Sequence, residues 1–274
     1  MAIFTSSRAE SHARQIAPGQ LRVGMQAPNV WIMLFVAPVI GSFLGLLAGR
    51  LPRGKPVAWG RSQCEQCGQA LGAKDLVPIA SWLWLRGRCR YCGGTIGGFV
   101  LAIELATIAV VAWAATETSG WTLVASCALG WTLLLLAAID WQTQLLPDAL
   151  TLPLLVAGLI VTCALAPNSW ADHAIGAIAG FTAFAALAYF YRILRGRDGL
   201  GLGDAKLAAA LGAWVAWEGL PTLVLWASLL GLCWALLRAA GGRRLNFADK
   251  IPFGPFLALG GWLVWLYGPL MATG

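Results

Sequence analysis

The chain has 274 residues, of which 59% are apolar and only 11% are charged, and its formal net charge is +7. Soluble domains carry about 25% charged and 45–50% apolar residues, and a soluble fold of this size exposes a large surface to water. The composition therefore excludes a soluble enzyme, a disordered protein and a small disulfide-stapled domain. Because the apolar runs are continuous, they predict an all-α polytopic membrane protein embedded in a lipid bilayer, and not a barrel.

The predicted elements begin with a polar N-terminal tail over residues 1–29, which we expect to be disordered. Apolar stretches of about the 20 residues that a membrane-spanning helix requires follow it. The break between the sixth and seventh stretches rests on Gly219-Leu220-Pro221 alone, so seven spans remain an alternative to eight. The eight predicted transmembrane helices cover residues 30–49, 99–116, 121–139, 149–166, 173–194, 204–217, 220–238 and 253–272.

The distribution of lysine and arginine predicts the orientation of these helices. With the N-terminus outside, sixteen of the 19 basic residues lie in cytoplasmic loops, and the other three lie in the N-terminal tail. Cytoplasmic loops of membrane proteins carry such an excess of basic residues. We therefore expect both termini outside. The net positive charge follows from this topology and suits the anionic inner leaflet, so no nucleic-acid partner is predicted.

Residues 50–98 predict a cytoplasmic loop between the first two spans, and this loop contains two C-x-x-C pairs. Their cysteines are Cys64, Cys67, Cys89 and Cys92. This spacing is typical of two knuckles that hold four thiolates around one zinc ion, and a glycine follows each pair as a tight turn requires. Four sulfur ligands leave no open position, so we expect a structural zinc ion. Unligated thiols or a redox pair are the alternatives.

Two aspartates indicate a catalytic site at the membrane surface. Ionisable groups at the bilayer are rare and often functional. Asp140 ends the third predicted span and Asp204 begins the sixth, so both lie at the cytoplasmic face. Two neighbouring carboxyl groups can share one proton, so that one acts as a general base on water while the protonated one polarises the scissile carbonyl. The pair therefore predicts aspartic-protease chemistry.

Other polar residues near this pair have both a functional and a structural interpretation. Gly201 and Gly203 precede Asp204 and would let a substrate backbone approach it. Helix capping is the alternative for Asp204 and is favoured for Asp148, since Asp is common at helix N-termini. Glu104, inside the second span, fits a buried polar contact as well as a site residue.

Several ordered blocks together resemble the type IV prepilin peptidases, the leader peptidase/N-methyltransferases of type IV pilus and type II secretion systems. The resemblance covers roughly residues 38–260. The matching blocks are Gly41-Ser42-Phe43-Leu44, Arg50-Leu51-Pro52, the loop from Arg61 to Cys92, the segment from Asp140 to Pro153, Gly201-Leu202-Gly203-Asp204-Ala205-Lys206-Leu207, and Pro252-Phe253-Gly254-Pro255-Phe256-Leu257.

The resemblance implies an enzyme of the bacterial inner membrane. Such an enzyme removes the short basic leader of prepilins and pseudopilins on the cytoplasmic side, after a Gly and usually before a Phe. It then methylates the new N-terminus with S-adenosylmethionine. Residues 50–98 would be the zinc-binding, methyl-transfer part, and residues 99–274 the peptidase domain. Carried over by position, the catalytic pair is Asp140 and Asp204, and the supporting residues are Gly201, Gly203, Lys206, Asp148 and Glu104.

The chain departs from the family pattern mainly in its N-terminal part. Gly45 stands where the family usually has Asn, Glu65 where it has Pro, and Gly98-Phe99-Val100 where it has an Arg-Tyr-Pro-like stretch. No glycine fingerprint marks a pocket for S-adenosylmethionine. The alternatives are therefore a peptidase without methyltransferase activity, a presenilin-like protease with the same G-x-G-D element, and a non-catalytic secretion-assembly factor. The sequence predicts no oligomeric state.

Overall fold

The computed structural model describes residues 28–56, 62–64, 66–196, 201–241 and 252–270. Within these ranges the regular structure is helical apart from two isolated β-bridges in the cysteine loop, which consists largely of turns and irregular segments. The predicted tail over residues 1–29 lies outside the described residues, except for its last two, which begin the first helix. The helices are α1 (Pro28–Arg50), α2 (Ala80–Trp84), α3 (Phe99–Glu117), α4 (Gly120–Thr143), α5 (Asp148–Leu165), α6 (Trp170–Arg195), α7 (Leu202–Ala240) and α8 (Gly254–Tyr267).

Six of the described helices are long and apolar enough to cross a membrane, namely all except α2 and α8. The longest of them, α7, is interrupted at Ala216, whose φ of 58° and ψ of 177° are non-helical. The sequence predicted this break a few residues later, at Gly219-Leu220-Pro221. Ala216 has no intrinsic preference for a left-handed φ, so the position of the break depends on tertiary contacts and not on local propensity.

Contacts with α8 show that the two halves of α7, residues 202–215 and 217–240, run in opposite directions. In the first half, residues later in α7 contact residues later in α8. In the second half, residues later in α7 contact residues earlier in α8. These pairs are Leu211–Gly261 and Trp214–Trp265 in the first half, then Gly219–Val264 and Trp234–Phe256 in the second. The first half is therefore parallel to α8 and the second antiparallel. With this reversal the described residues contain eight apolar helical segments, in the order and at about the positions of the eight predicted spans.

Helices α6 and the first half of α7 are in direct backbone contact through small residues. A Cβ atom on Gly176 would lie 2.5 Å from the carbonyl oxygen of Gly212, and one on Gly180 would lie 2.5 Å from that of Ala208. In a bilayer, helices associate through such close packing, because lipid tails are as apolar as the side chains. This contact fixes the start of α7, which carries Asp204.

A second close contact joins α1 to α3. A Cβ atom on Gly41 would lie 2.6 Å from the Cα atom of Glu104, so a larger residue does not fit there. Beside it, the Thr107 hydroxyl donates a hydrogen bond of 2.8 Å to the carbonyl oxygen of Ala37. Gly41 therefore has a packing role, and Glu104 lies in the interface between these two helices.

Replacing Gly176 with valine tests the contact between α6 and α7. Its Cβ atom would meet backbone atoms that no rotamer change can move, so we expect a loss of about 1–3 kcal/mol in stability. Thermal unfolding in detergent measures the change. The matched control is Ala186→Val on an exposed position of the same helix, which we expect to unfold like the wild type. Equal unfolding temperatures for both variants would contradict the contact.

Candidate active site and metal centre

The two predicted catalytic aspartates line one pocket, which forms where α4 ends and where α5 and α7 begin. Its volume is about 270 Å³. Of the seven predicted catalytic and supporting residues, six line it and Glu104 does not. The lining residues are Asp140, Gln144, Leu145, Leu146, Asp148, Gly201, Leu202, Gly203, Asp204 and Lys206.

Asp140 is held by the N-terminus of α8. Its side chain is almost fully buried, with 5% of the residue exposed, and its Oδ2 atom accepts a 3.0 Å hydrogen bond from the backbone N–H of Gly254. A Cβ atom on Gly254 would lie 2.7 Å from this oxygen, so a side chain at this position would displace the carboxylate from the hydrogen bond. The first turn of a helix presents free N–H groups and a positive dipole end, both of which favour a carboxylate.

Gly254 belongs to the candidate site through this hydrogen bond, and the sequence assigned it no role. It was part of the Pro252-Phe253-Gly254-Pro255-Phe256-Leu257 block, and that block carried a usable signal. A glycine directly before a proline, at the start of an apolar run, is typical of a helix N-terminus. Such a terminus can hold an anion. Only the fold shows which carboxylate this terminus holds, because Asp140 lies 114 residues earlier in the chain.

Asp204 both caps a helix and lines the pocket. It is the third residue of α7, and its Oδ2 atom accepts a hydrogen bond of 3.3 Å from the backbone N–H of Gly201. The structural and functional interpretations of this residue are therefore compatible. Gly203 lies against Leu146, since a Cβ atom there would be 3.1 Å from that side chain, whereas Gly201 is exposed.

Asp148 and Lys206 form an ion pair beside the two aspartates. The Lys206 Nζ atom lies 2.6 and 2.7 Å from the two carboxylate oxygens of Asp148. Asp148 was predicted to cap α5, but it is the first residue of the helix, and Pro147 occupies the capping position. The pair joins the start of α5 to the start of α7 at the rim of the pocket.

Glu104 connects the cysteine loop to the membrane helices. The residue is 3% exposed, and its Oε2 atom accepts a hydrogen bond of 2.7 Å from the backbone N–H of Ile79. Ile79 has a φ of 59° and a ψ of −53°, a γ-turn conformation that is strained for a β-branched residue. Glu104 therefore holds a strained turn of the loop against α3, at a distance from the aspartate pocket.

The four predicted metal ligands lie together. The sulfur atoms of Cys64, Cys67, Cys89 and Cys92 are all within 4.8 Å of one another, and the Sγ atoms of Cys64 and Cys92 are 3.9 Å apart. A tetrahedral zinc ion with zinc–sulfur bonds of about 2.3 Å would space its ligands about 3.8 Å apart. The donor set and its dimensions therefore fit one metal ion.

The two knuckles have the same backbone hydrogen bonds. The N–H of Cys64 donates to Gln69 and that of Cys89 to Gly94, at 2.9 and 2.8 Å. Gly68 and Gly93, the glycines after each pair, both have a φ of +70°, which supplies the physical reason for their presence. Backbone N–H groups of Cys67 and Gln66 also lower the pKa of the Cys64 thiol to about 7, which favours the metal-binding thiolate.

A carboxylate fastens the second knuckle to the segment before it. Asp75 accepts hydrogen bonds from Arg90 Nε at 2.7 Å, from Gly72 N–H at 3.1 Å and from the Tyr91 hydroxyl at 3.2 Å. The Arg90 guanidinium holds the pKa of Asp75 below its usual range. This contact therefore stabilises the loop at neutral pH, and the stabilisation is lost in acid, as the pH falls through that lowered pKa.

Replacing Glu104 tests its role in holding the loop. Glu104→Ala leaves the Ile79 N–H without its acceptor, and a buried unsatisfied donor costs about 1–3 kcal/mol. We expect faster trypsin cleavage within residues 86–90. Glu104→Gln keeps an acceptor oxygen and should restore most of the protection, while Glu117→Ala at the other end of α3 should have no effect. Unchanged proteolysis of Glu104→Ala would contradict this role.

Comparison with known proteins identifies two adjoining family domains. Residues 35–118 match the bacterial peptidase A24 N-terminal domain, and residues 127–236 match the type IV leader peptidase family. No solved structure matches the chain.

Three similar proteins carry the name prepilin leader peptidase/N-methyltransferase. The protein from Dickeya chrysanthemi is 38% identical, over 85% of this chain and 92% of its own length. That from Burkholderia pseudomallei strain 1026b is 38% identical, over 96% and 93%. That from Aeromonas salmonicida is 41% identical, over 76% and 72%. With this identity over most of both chains, the protein belongs to the type IV leader peptidase family.

Proposed function

We propose that this protein is a membrane aspartic endopeptidase that removes the leader of type IV prepilins or pseudopilins and methylates the new N-terminus. Cleavage falls after a Gly and usually before a Phe. The observation that carries the proposal is the convergence of Asp140 and Asp204, from two different helices, on one pocket. Membership of the leader peptidase family supports the same reaction.

The two carboxyl groups activate water and polarise the peptide bond. Asp140 and Asp204 are each fixed through one oxygen by a backbone N–H, from Gly254 and from Gly201. One ionised carboxylate takes a proton from water, whose oxygen attacks the scissile carbonyl carbon. The protonated partner donates its hydrogen to the carbonyl oxygen. The C–N bond then breaks as the carboxyl group that took the proton from water gives it to the amine nitrogen. The other carboxylate takes a proton from a hydroxyl of the tetrahedral intermediate, which returns the dyad to its starting state.

The charge of the pocket favours a basic leader. Three carboxyl groups and one ammonium group line it, so its net charge is negative whenever two of the carboxyl groups are ionised. Asp148 is exposed at the rim, where it can meet a basic residue of the leader. Lys206 keeps Asp148 in position by the ion pair and links the two helices that carry Asp148 and Asp204.

The pocket and the cysteine loop lie at the same end of the helices. Helix α1 ends at the loop, and its residues Leu44 and Ala48 pack with Ile139, next to Asp140. Sixteen of the 19 basic residues belong to loops at this end in the predicted topology. We therefore assign this end to the cytoplasm and both termini to the outside of the bacterial inner membrane.

We further propose that the four cysteines hold a structural zinc ion and that S-adenosylmethionine is the methyl donor. When bound, zinc would supply structural cross-linking of the two knuckles. Residues 50–98 form the methyl-transfer part and residues 99–274 the peptidase domain.

Replacing either aspartate tests the proposed reaction. Asp140→Asn and Asp204→Asn remove the proton exchange that the dyad needs, so we expect kcat for prepilin cleavage to fall about 100-fold or more. Mass spectrometry of the pilin N-terminus measures cleavage and methylation together. The control is Glu218→Gln, an exposed position in another part of α7.

Each alternative gives a different result in this assay. Normal processing by either Asn variant would overturn the assignment of the dyad. A wild-type protein that cleaves no prepilin would favour a presenilin-like protease or an assembly factor. A cleaved but unmethylated pilin would indicate a peptidase without methyltransferase activity.

Replacing a cysteine tests the metal site. We expect about one zinc ion per purified chain, lost in Cys64→Ser because three thiolates no longer complete the tetrahedral set. Elemental analysis measures the metal. Cys163→Ser, in α5, is the control and should retain zinc. Cleavage by Cys64→Ser should continue, since the aspartate pocket contains no cysteine. Wild-type protein without zinc would disprove the assignment.

A further inference from the structure

We propose that an apolar groove between α5 and α6 seats the membrane-embedded segment of the substrate that follows the scissile bond. The groove has a volume of about 410 Å³. Its walls come from the two helices, and Ala209 of α7 forms its floor. The proposal rests on the proposed function, because it names the substrate surface that the aspartate pocket requires. The lining residues are Leu155, Leu159, Ala174, Ala177, Ile178, Phe181, Thr182 and Ala209.

The groove has the surface that an apolar helix needs. The lining residues of α6 fall at positions i, i+3, i+4, i+7 and i+8 and therefore form one stripe along the helix. From Ala174 to Thr182 this stripe is about 12 Å long, or about two turns of a bound helix. Apart from the Thr182 hydroxyl, which donates to the carbonyl oxygen of Ile178, the side chains are aliphatic or aromatic.

The groove continues directly from the aspartate pocket. On α7, the pocket residues Leu202 and Lys206 lie seven and three residues before Ala209, so all three share one face of the helix. On α5, Asp148 lies seven residues before Leu155, again on the same face. At about 1.5 Å per residue, the groove begins about 5–10 Å from the ion pair at the pocket rim.

This arrangement determines which part of the substrate can occupy the groove. The pocket carries several charged groups, whereas the adjoining groove lies at membrane depth and has no charged lining residue. A peptide that crosses both must therefore change from polar to apolar at the scissile bond. The basic leader belongs on the charged side, so the apolar segment after the bond belongs in the groove.

Filling the groove tests this assignment. Thr182→Phe narrows its end nearest the pocket, and Ala183→Phe places the same ring on the neighbouring exposed position outside the groove. We expect Thr182→Phe to lower kcat/KM for full-length prepilin about tenfold, the equivalent of one lost apolar side-chain contact. Both variants should cleave a short soluble peptide, which has the leader but lacks the apolar segment, at the wild-type rate.

Comparing full-length prepilin with the short soluble peptide distinguishes failure of this proposal from failure of the proposed function. If Thr182→Phe cleaves full-length prepilin as fast as Ala183→Phe, the groove does not seat the substrate. An equal loss with the short peptide would also overturn the proposal, because the effect would then not depend on the apolar segment. If the wild-type protein cleaves neither substrate, the proposed function itself fails.

Photocrosslinking identifies the occupant. A photoreactive residue replaces Ile178, which is exposed in the groove. The replacement is made in the Asp140→Asn variant, which we expect to cleave prepilin slowly. With saturating prepilin in lipid vesicles, we expect the crosslink to fall within the apolar segment, one to three turns after the cleavage site. The same residue at Ala183 should give no such product. Crosslinks to lipid alone, in the presence of prepilin, would mean that acyl chains fill the groove and would overturn the proposal.

Discussion

The hydrogen bond from the Gly254 backbone to the Asp140 carboxylate is the contact on which the proposed active site depends. A carboxyl group at the edge of a bilayer needs a polar partner, because lipid offers none. The start of α8 supplies that partner, and it can reach Asp140 only because residue 254 has no side chain. Farther along the same two helices, the Trp265 side chain donates a hydrogen bond to the Ser126 hydroxyl. Helices α4 and α8 are therefore joined at two points along their length.

The second aspartate depends on a different constraint, the close approach of α6 and α7. Gly176, Gly180 and Gly212 bring the two backbones into contact, and this contact sets the depth at which α7 begins. The reversal at Ala216 then returns the chain, so that α8 can start beside Asp140. Asp140 and Asp204 therefore line one pocket because the α4–α8 contact holds the first and the α6–α7 contact positions the helix that carries the second.

The two proposed activities occupy the same end of the molecule. The cysteine loop is attached to α3 through Glu104 and Ile79, while the aspartate pocket lies at the ends of α4, α5 and α7. A small apolar cluster that includes Leu44, Ala48 and Ile139 lies between them. In the proposed reaction, a pilin cleaved in the pocket would release its new N-terminus at the end of the molecule that carries the proposed methyl-transfer part, so no charged group would have to cross the bilayer.

The sequence by itself determined the class of the protein, the positions of most of its helical segments and the four cysteines that lie together in the loop. These features depend on composition, on apolar length and on the spacing of cysteines in one short loop, all of which are local. The role of Gly254, the position of the break at Ala216 and the attachment of Glu104 to Ile79 were decided by tertiary structure alone. Each of these joins residues distant in the chain, or imposes a backbone conformation that local propensity does not favour, and only packing supplies the energy for it.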